Sequence, residues 1–290
     1  MPRDARRPAA RPEAAAPPPP GATGEPAAGP GVPAETAPPR PSIWLADAEE
    51  QAGPARSAGR NGLDRERITE VSVRLLDAEG LPKFSMRRLA GEMGVTAMSL
   101  YWYVDTKDDL LELALDAAFA ELGTGDAGES GQPGEADDWR AELRDLAAGY
   151  RALLVRHPWV STLAGTYLNI GPHSMAFSRR MRAVLAGTGL APATRAGAMA
   201  AVSQFVHGFG TFEGHYVERS RQAGMTQDAY FRHAMGSIRE HPGLEGDFTE
   251  PGRLLAERGG HTVEEMRERD FTLALDLLVA GIEAMVAREA

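Results

Sequence analysis

Cysteine is absent from the 290-residue chain, which removes disulfides, thiolate metal sites and cysteine nucleophiles together. Long apolar runs are missing too: nothing uncharged approaches the ~20 residues that cross a bilayer. The N-terminus "MPRDARRPAARPEAAAPPPP" carries arginines but no apolar stretch of a secretory leader. No membrane association and a cytoplasmic location are therefore expected. Strand-like alternation is nowhere sustained. Positive charge is in deficit, and a net charge of -10 argues against a partner held by bulk charge, so any nucleic-acid contact has to be local. Common catalytic signatures are lacking as well: there is no GxSxG elbow, no P-loop and no HExxH. His207 and His215 stand eight apart, about 80° out of line on a helix, so no metal and no cofactor is expected from them. An enzyme is a distant second class.

What remains is organised in blocks. Residues 1–60 hold fourteen of the 21 prolines, a composition that buries too little apolar surface to offset the entropy of ordering, and reads as a disordered tail. One island there, "SIWLADAEE", offers Trp44 for docking, although a lone aromatic in such a tail is more often incidental. Residues 123–138, "GTGDAGESGQPGEADD", read as a glycine-rich linker. The intervening periodicity is helical, so the expected fold is all-α, with a DNA-binding head over 61–122 and a helical body over 139–290.

The head is the informative part. Ile68, Val71, Leu75 and Leu76 mark one amphipathic helix that Gly80 stops. Ser85 can cap a second and Thr96 a third, and Thr106 with Asp109 forms a capping box for a fourth. Ala90, Gly94 and Leu100 supply the small residue, turn glycine and apolar anchor that two steeply crossing helices need, the helix-turn-helix pattern. The third helix ends on Tyr101, Trp102 and Tyr103. Successive residues sit about 100° apart, so three in a row cannot share one core face. With Leu100 inward, Val104 follows it, Tyr103 lies at the boundary, and Tyr101 and Trp102 look out. These aromatics would lie on the sugar-phosphate backbone while Ala97, Met98 and Ser99 face base edges. Across residues 63–112 seven basic side chains meet ten acidic ones, so the electrostatic case rests on the placement of Lys83, Arg87, Arg88 and Lys107 near helix N-termini.

The stretch "SMRRLAGEMGVTAMSLYWYVDTKDDLL" within residues 64–121 resembles the DNA-binding domain of TetR-family transcriptional regulators, closest to the tetracycline-repressor branch. The resemblance implies DNA contacts from Arg87, Thr96, Ala97, Met98, Ser99, Tyr101, Trp102, Tyr103 and Lys107. It also implies a homodimer on a palindromic double-stranded operator, and repression lifted by a small-molecule effector. An activator or an effector-independent regulator is the alternative. Where that repressor carries a glutamine and a proline early in its recognition helix, this chain has Ala97 and Met98, so its operator must differ. The histidine with which the repressor holds drug-bound magnesium falls near Tyr167, which puts a metal-drug site out of expectation.

In the body, "WVSTLAGTYLNIGPHSMAF" and "FVHGFGTFEGHY" set large side chains beside small ones. Gly208, Gly210 and Gly214 lie within seven residues, and since glycine costs a helix about 1 kcal/mol against alanine, they mark either close packing or a cavity. For a cavity the lining would be Trp159, Tyr167, Asn169, Phe177, Phe205, His207, Phe209, Phe212 and His215, suited to a small apolar or aromatic effector. The last helix, apolar around much of its girth through Leu273, Leu277 and Ile282, suits a dimer face.

Overall fold

Each helix of the head starts where a side chain satisfies its first amides. Asp64 accepts from the Arg67 N–H at 2.7 Å and opens α1 (Arg65–Glu79). Ile68, Val71, Leu75 and Leu76 form its buried face, and Gly80, at φ 78°, ends it by returning its N–H to Leu76 O. A single 3-10 turn, Leu81–Lys83, leads to Ser85, which accepts from the Arg88 N–H and opens α2 (Met86–Met93). Gly94 adopts the left-handed conformation, φ 68° and ψ 28°, that closes α2 at little cost to a residue without a Cβ. Thr96 then caps α3 (Ala97–Leu100), which is one turn long and runs out in a turn over residues 101–103. Thr106 and Asp109 exchange both bonds of a capping box at the start of α4 (Lys107–Ala120).

The computed structural model describes residues 42–45, 64–123, 138–241, 243 and 262–289. All lie in one compact unit, Pro41–Ala290, and every regular element among them is helical. Most of the expected tail and linker falls outside the described residues. Ser42–Leu45 does not, and its docking is a departure from a uniformly disordered tail: Ile43 is buried and Trp44 packs against the core, so enough apolar surface is covered to order one turn.

The body comprises α5 (Trp139–Arg156), α6 (Pro158–Ala164), α7 (Pro172–Ala186), α8 (Pro192–Gln222), α9 (Gln227–Arg239) and α10 (Val263–Glu289). Helices α5 and α8 form its most extensive pairing. At their crossing a Cβ on Gly210 would lie 2.9 Å from Leu154 Cβ, and one on Gly214 would lie 2.8 Å from Leu154 O. These two glycines let backbones touch, so the cavity alternative fails at them. Arg144 joins α5 to α10 through Asp276 at 2.9 and 3.0 Å. Helix α4 packs against α1 and also against α6 and α7, tying head to body. None of the described helices is long and apolar enough to cross a membrane.

Candidate functional site

The α2–turn–α3 unit stands on Leu100 and Val104, both buried, which fixes the rotation of α3. The same rotation turns Met98, Tyr101 and Trp102 to solvent, at 70%, 43% and 75% exposure. Burying such side chains is the norm, so a contiguous apolar and aromatic surface held outward marks a contact face. Ala97 and Tyr103 pack partly against the core, and the Tyr103 carbonyl accepts from Arg65 Nε at 3.4 Å. Thr96 is exposed and Ser99 half-buried; their hydroxyls share a 2.8 Å hydrogen bond at the start of α3. Ala97, Met98, Ser99, Tyr101 and Trp102 thus come together on one short segment, with Thr96 at its head.

The cations divide. Arg87 and Lys83 are exposed near the start of α2. Lys107, at the N-terminus of α4, donates to Phe84 O at 2.9 Å and lies 5.7 Å from the Phe84 ring centre, which holds the ammonium at the edge of the head with donors to spare. Arg88 departs from expectation. It bonds Glu79 at 2.6 Å and Glu92 at 2.9 Å, because Ser85 turns α2 so that Arg88 faces the end of α1. Its charge is spent inside the head.

The body residues do not form one group. His207 shares a 2.9 Å hydrogen bond with Tyr150, whose ring lies 5.3 Å from Phe177 and 5.9 Å from Phe119. Burial pushes the Tyr150 hydroxyl up to about 12 and pulls the His207 imidazole down. With Nδ1 engaged by the phenol, the imidazole Nε2 is the ring nitrogen left for another polar group. Phe205 and Phe209 lie on the other side of α8, Phe205 stacked on Phe271 at 5.5 Å and Phe209 edge-on to it at 5.2 Å. Arg151 is pressed onto that cluster, 4.6 Å from the Phe271 ring, and held bidentate by Glu213 at 2.7 and 3.0 Å. Phe212 is 81% exposed and His215 is exposed. These two are corrections to the expected lining: their azimuth on α8 points between its packed faces, away from the interior. Tyr167 donates to Asp108 at 3.1 Å and so belongs to the edge of α4. Asn169 sits at φ 52°, bonding Ala164 O and Tyr167 O, with its Oδ1 buried and unpartnered.

Trp159 is likewise elsewhere. Its Nε1 donates to Asp77 at 2.7 Å, beside His157, whose Nδ1 lies 2.6 Å from Asp77 and whose Nε2 lies 3.1 Å from Glu121. Burial pulls the His157 pKa down, but the bonds and charges of Asp77 and Glu121 outweigh it and the net shift is upward. This junction joins α1, the end of α4 and the start of α6. No local sequence pattern marks His157, since its partners are 80 and 36 positions away.

A helix-turn-helix head whose second helix presents an outward face, carried on a larger helical body, is the build of a DNA-binding transcriptional regulator. Residues 68–114 match the bacterial regulatory proteins of the tetR family, and residues 131–286 match the tetracyclin repressor-like C-terminal domain. The chain belongs to the TetR family. It is 37% identical over 190 residues to an HTH-type transcriptional regulator of Saccharopolyspora erythraea, covering 66% of this chain and 77% of that protein. To the HTH-type transcriptional repressor DrrR1 of Streptomyces coeruleorubidus it is 30% identical over 227 residues, 78% of this chain and 79% of the relative. Among solved structures it is similar to the Streptomyces coelicolor TetR family protein ActR in complex with actinorhodin. The TM-score is 0.57 and the identity 27%, covering 77% of this chain and 98% of that one.

Proposed function

We propose that the protein is a homodimeric, cytoplasmic repressor that occupies a palindromic operator through α3 and leaves it when an apolar or aromatic effector enters the body. The observation that carries the reading is the outward set of Met98, Tyr101 and Trp102 above buried Leu100 and Val104. No packing need explains that set, and a DNA backbone does. Arg87, Thr96, Ala97, Ser99, Tyr103 and Lys107 complete the proposed contact set, with domain limits at 61–122 and 139–290. A repressor name on one relative and the actinorhodin complex of a structural neighbour support the sign and the binding of a small-molecule effector. In this chain the effector would meet Phe177, Tyr150 and His207, with the imidazole Nε2 orienting its polar end. Dimer formation is supported by Phe212 on α8 and by Leu273 and Leu277 on α10, all left exposed by the protomer. The relatives are named for control of transcription, in keeping with a non-enzymatic role.

The test is selection of bound duplexes from a random pool, followed by titration. Lys107→Ala should weaken binding to all duplexes and lower the salt slope by about 1, whereas Ser99→Ala should change base preference at one position per half-site. Equal affinity for selected and scrambled duplexes would end the proposal.

A further inference from the structure

Helix α4 carries Asp108, Glu112 and Asp116 at i, i+4 and i+8, a row of like charges along one edge that repels itself unless each carboxylate finds a partner. Three separate parts of the chain supply those partners. The Tyr167 hydroxyl, from the segment between α6 and α7, donates to Asp108. Asp116 accepts from the His173 and Ser174 amides at 3.3 and 2.8 Å and from Ser174 Oγ at 2.8 Å, so it caps α7. The backbone comes so close there that a Cβ on Gly171 would fall 2.3 Å from that carboxylate. Glu112 takes the third partner. It is buried and accepts the Ser42 hydroxyl. Ser42 and Ile43 precede the head in the chain, in the proline-rich segment. Ile43 is 5% exposed within the core and Trp44 packs against the core, whereas Leu45 faces out at 49%.

We infer that Ser42–Leu45 is a strap fastened to Glu112 that clamps α4, the helix tying head to body, and so sets the head's readiness to bind DNA. Two of the three α4 carboxylates hold parts of the body, and the third holds the strap, so loosening the strap loosens the same edge. A head held in place has less freedom to lose when it docks. The strap therefore favours DNA binding, and effects at the α6–α7 segment and at the strap are transmitted through one helix.

The experiment uses the full chain. Ile43→Asp places a charge in the buried seat beside Glu112 and ejects the strap, Ser42→Ala removes only the hydroxyl donor, and Leu45→Asp changes the outward side chain as a control. The strap precedes every head helix, so circular dichroism should remain native in all three. Hydrogen exchange of peptides spanning 107–120 should quicken about tenfold in Ile43→Asp, to a smaller extent in Ser42→Ala, and not in Leu45→Asp. Unchanged α4 exchange in Ile43→Asp would overturn the clamp. Affinity for the selected duplex should fall about fivefold in Ile43→Asp and hold in Leu45→Asp. Unchanged or tighter binding by Ile43→Asp would overturn the effect on DNA binding. This second measurement rests on the proposed function, the first does not: a wild-type chain that selects no duplex defeats the regulator reading, while the exchange data still decide the clamp.

Discussion

Gly208 and Gly214 occupy the same helix, six positions apart, and meet opposite surroundings. A Cβ on Gly208 would touch nothing within 4 Å, whereas one on Gly214 would lie 2.8 Å from Leu154 O and 3.4 Å from Val155 Cα. Alanine at Gly208 keeps every contact and removes the entropic handicap of glycine, so Gly208→Ala should stabilise by up to about 1 kcal/mol. Gly214→Ala gains the same helical preference, but its methyl meets backbone, which has no rotamer to yield. Helix α5 must move off by several tenths of an ångström along its longest pairing, and overpacking of this kind costs roughly 1–3 kcal/mol.

The two variants should therefore differ by about 1–3 kcal/mol, a separation of some 3–10 °C in Tm for a body of this size. Gly210→Ala should also fall well below Gly208→Ala, since its methyl would lie 2.9 Å from Leu154 Cβ, an atom the backbone fixes, and 3.4 Å from Arg151 O. Thermal and denaturant unfolding of purified variants would read the order. Gly214→Ala as stable as Gly208→Ala would refute close approach of α5 and α8 and return both glycines to a cavity. Close approach also means that Gly210→Leu fills no pocket and destabilises the fold.

Three further outcomes follow from the junctions described above. His157 has a folded pKa raised above its unfolded value, so its contribution is fully present below pH ~6.5 and is lost as pH rises through the folded pKa; the stability gap between wild type and His157→Gln should narrow across that rise, and a gap constant from pH 6 to 8.5 would contradict it. Glu213→Gln leaves Arg151 buried beside a neutral amide with one acceptor in place of two, the more exposed Glu268 being its remaining carboxylate; it should cost about 3 kcal/mol, more than the paired change Arg151→Met with Glu213→Leu, and the reverse ranking in urea melts would sink the desolvation argument. Leu277→Glu on the exposed side of α10 should shift light scattering from dimer to monomer without loss of helicity, and a persisting dimer would place the interface elsewhere.

The local signals in this chain were legible because each is settled within a turn or two. Ser85, Thr96 and the Thr106–Asp109 pair cap where their spacing says they should, Gly94 takes the left-handed turn, and Leu100 inward forces Tyr101 and Trp102 outward. Helical arithmetic also separates His207 from Phe205 by about 200°, and the two do face different clusters. What periodicity leaves open is which neighbour lies on each side. Phe271 and Arg151 claim one face of α8, Tyr150 the other, and Phe212 meets none of them within the protomer. Arg88 looked like a phosphate contact because Glu79, nine positions back, becomes its neighbour only once Gly80 has turned the chain. The strap is the extreme case. Its Ser42 reaches Glu112 across seventy positions, in a segment whose composition speaks for disorder, and four residues are too few to alter that composition. A short apolar island beside a hydroxyl is ordinary in such a tail, and it acquires meaning only from the row of α4 carboxylates that needs a third partner.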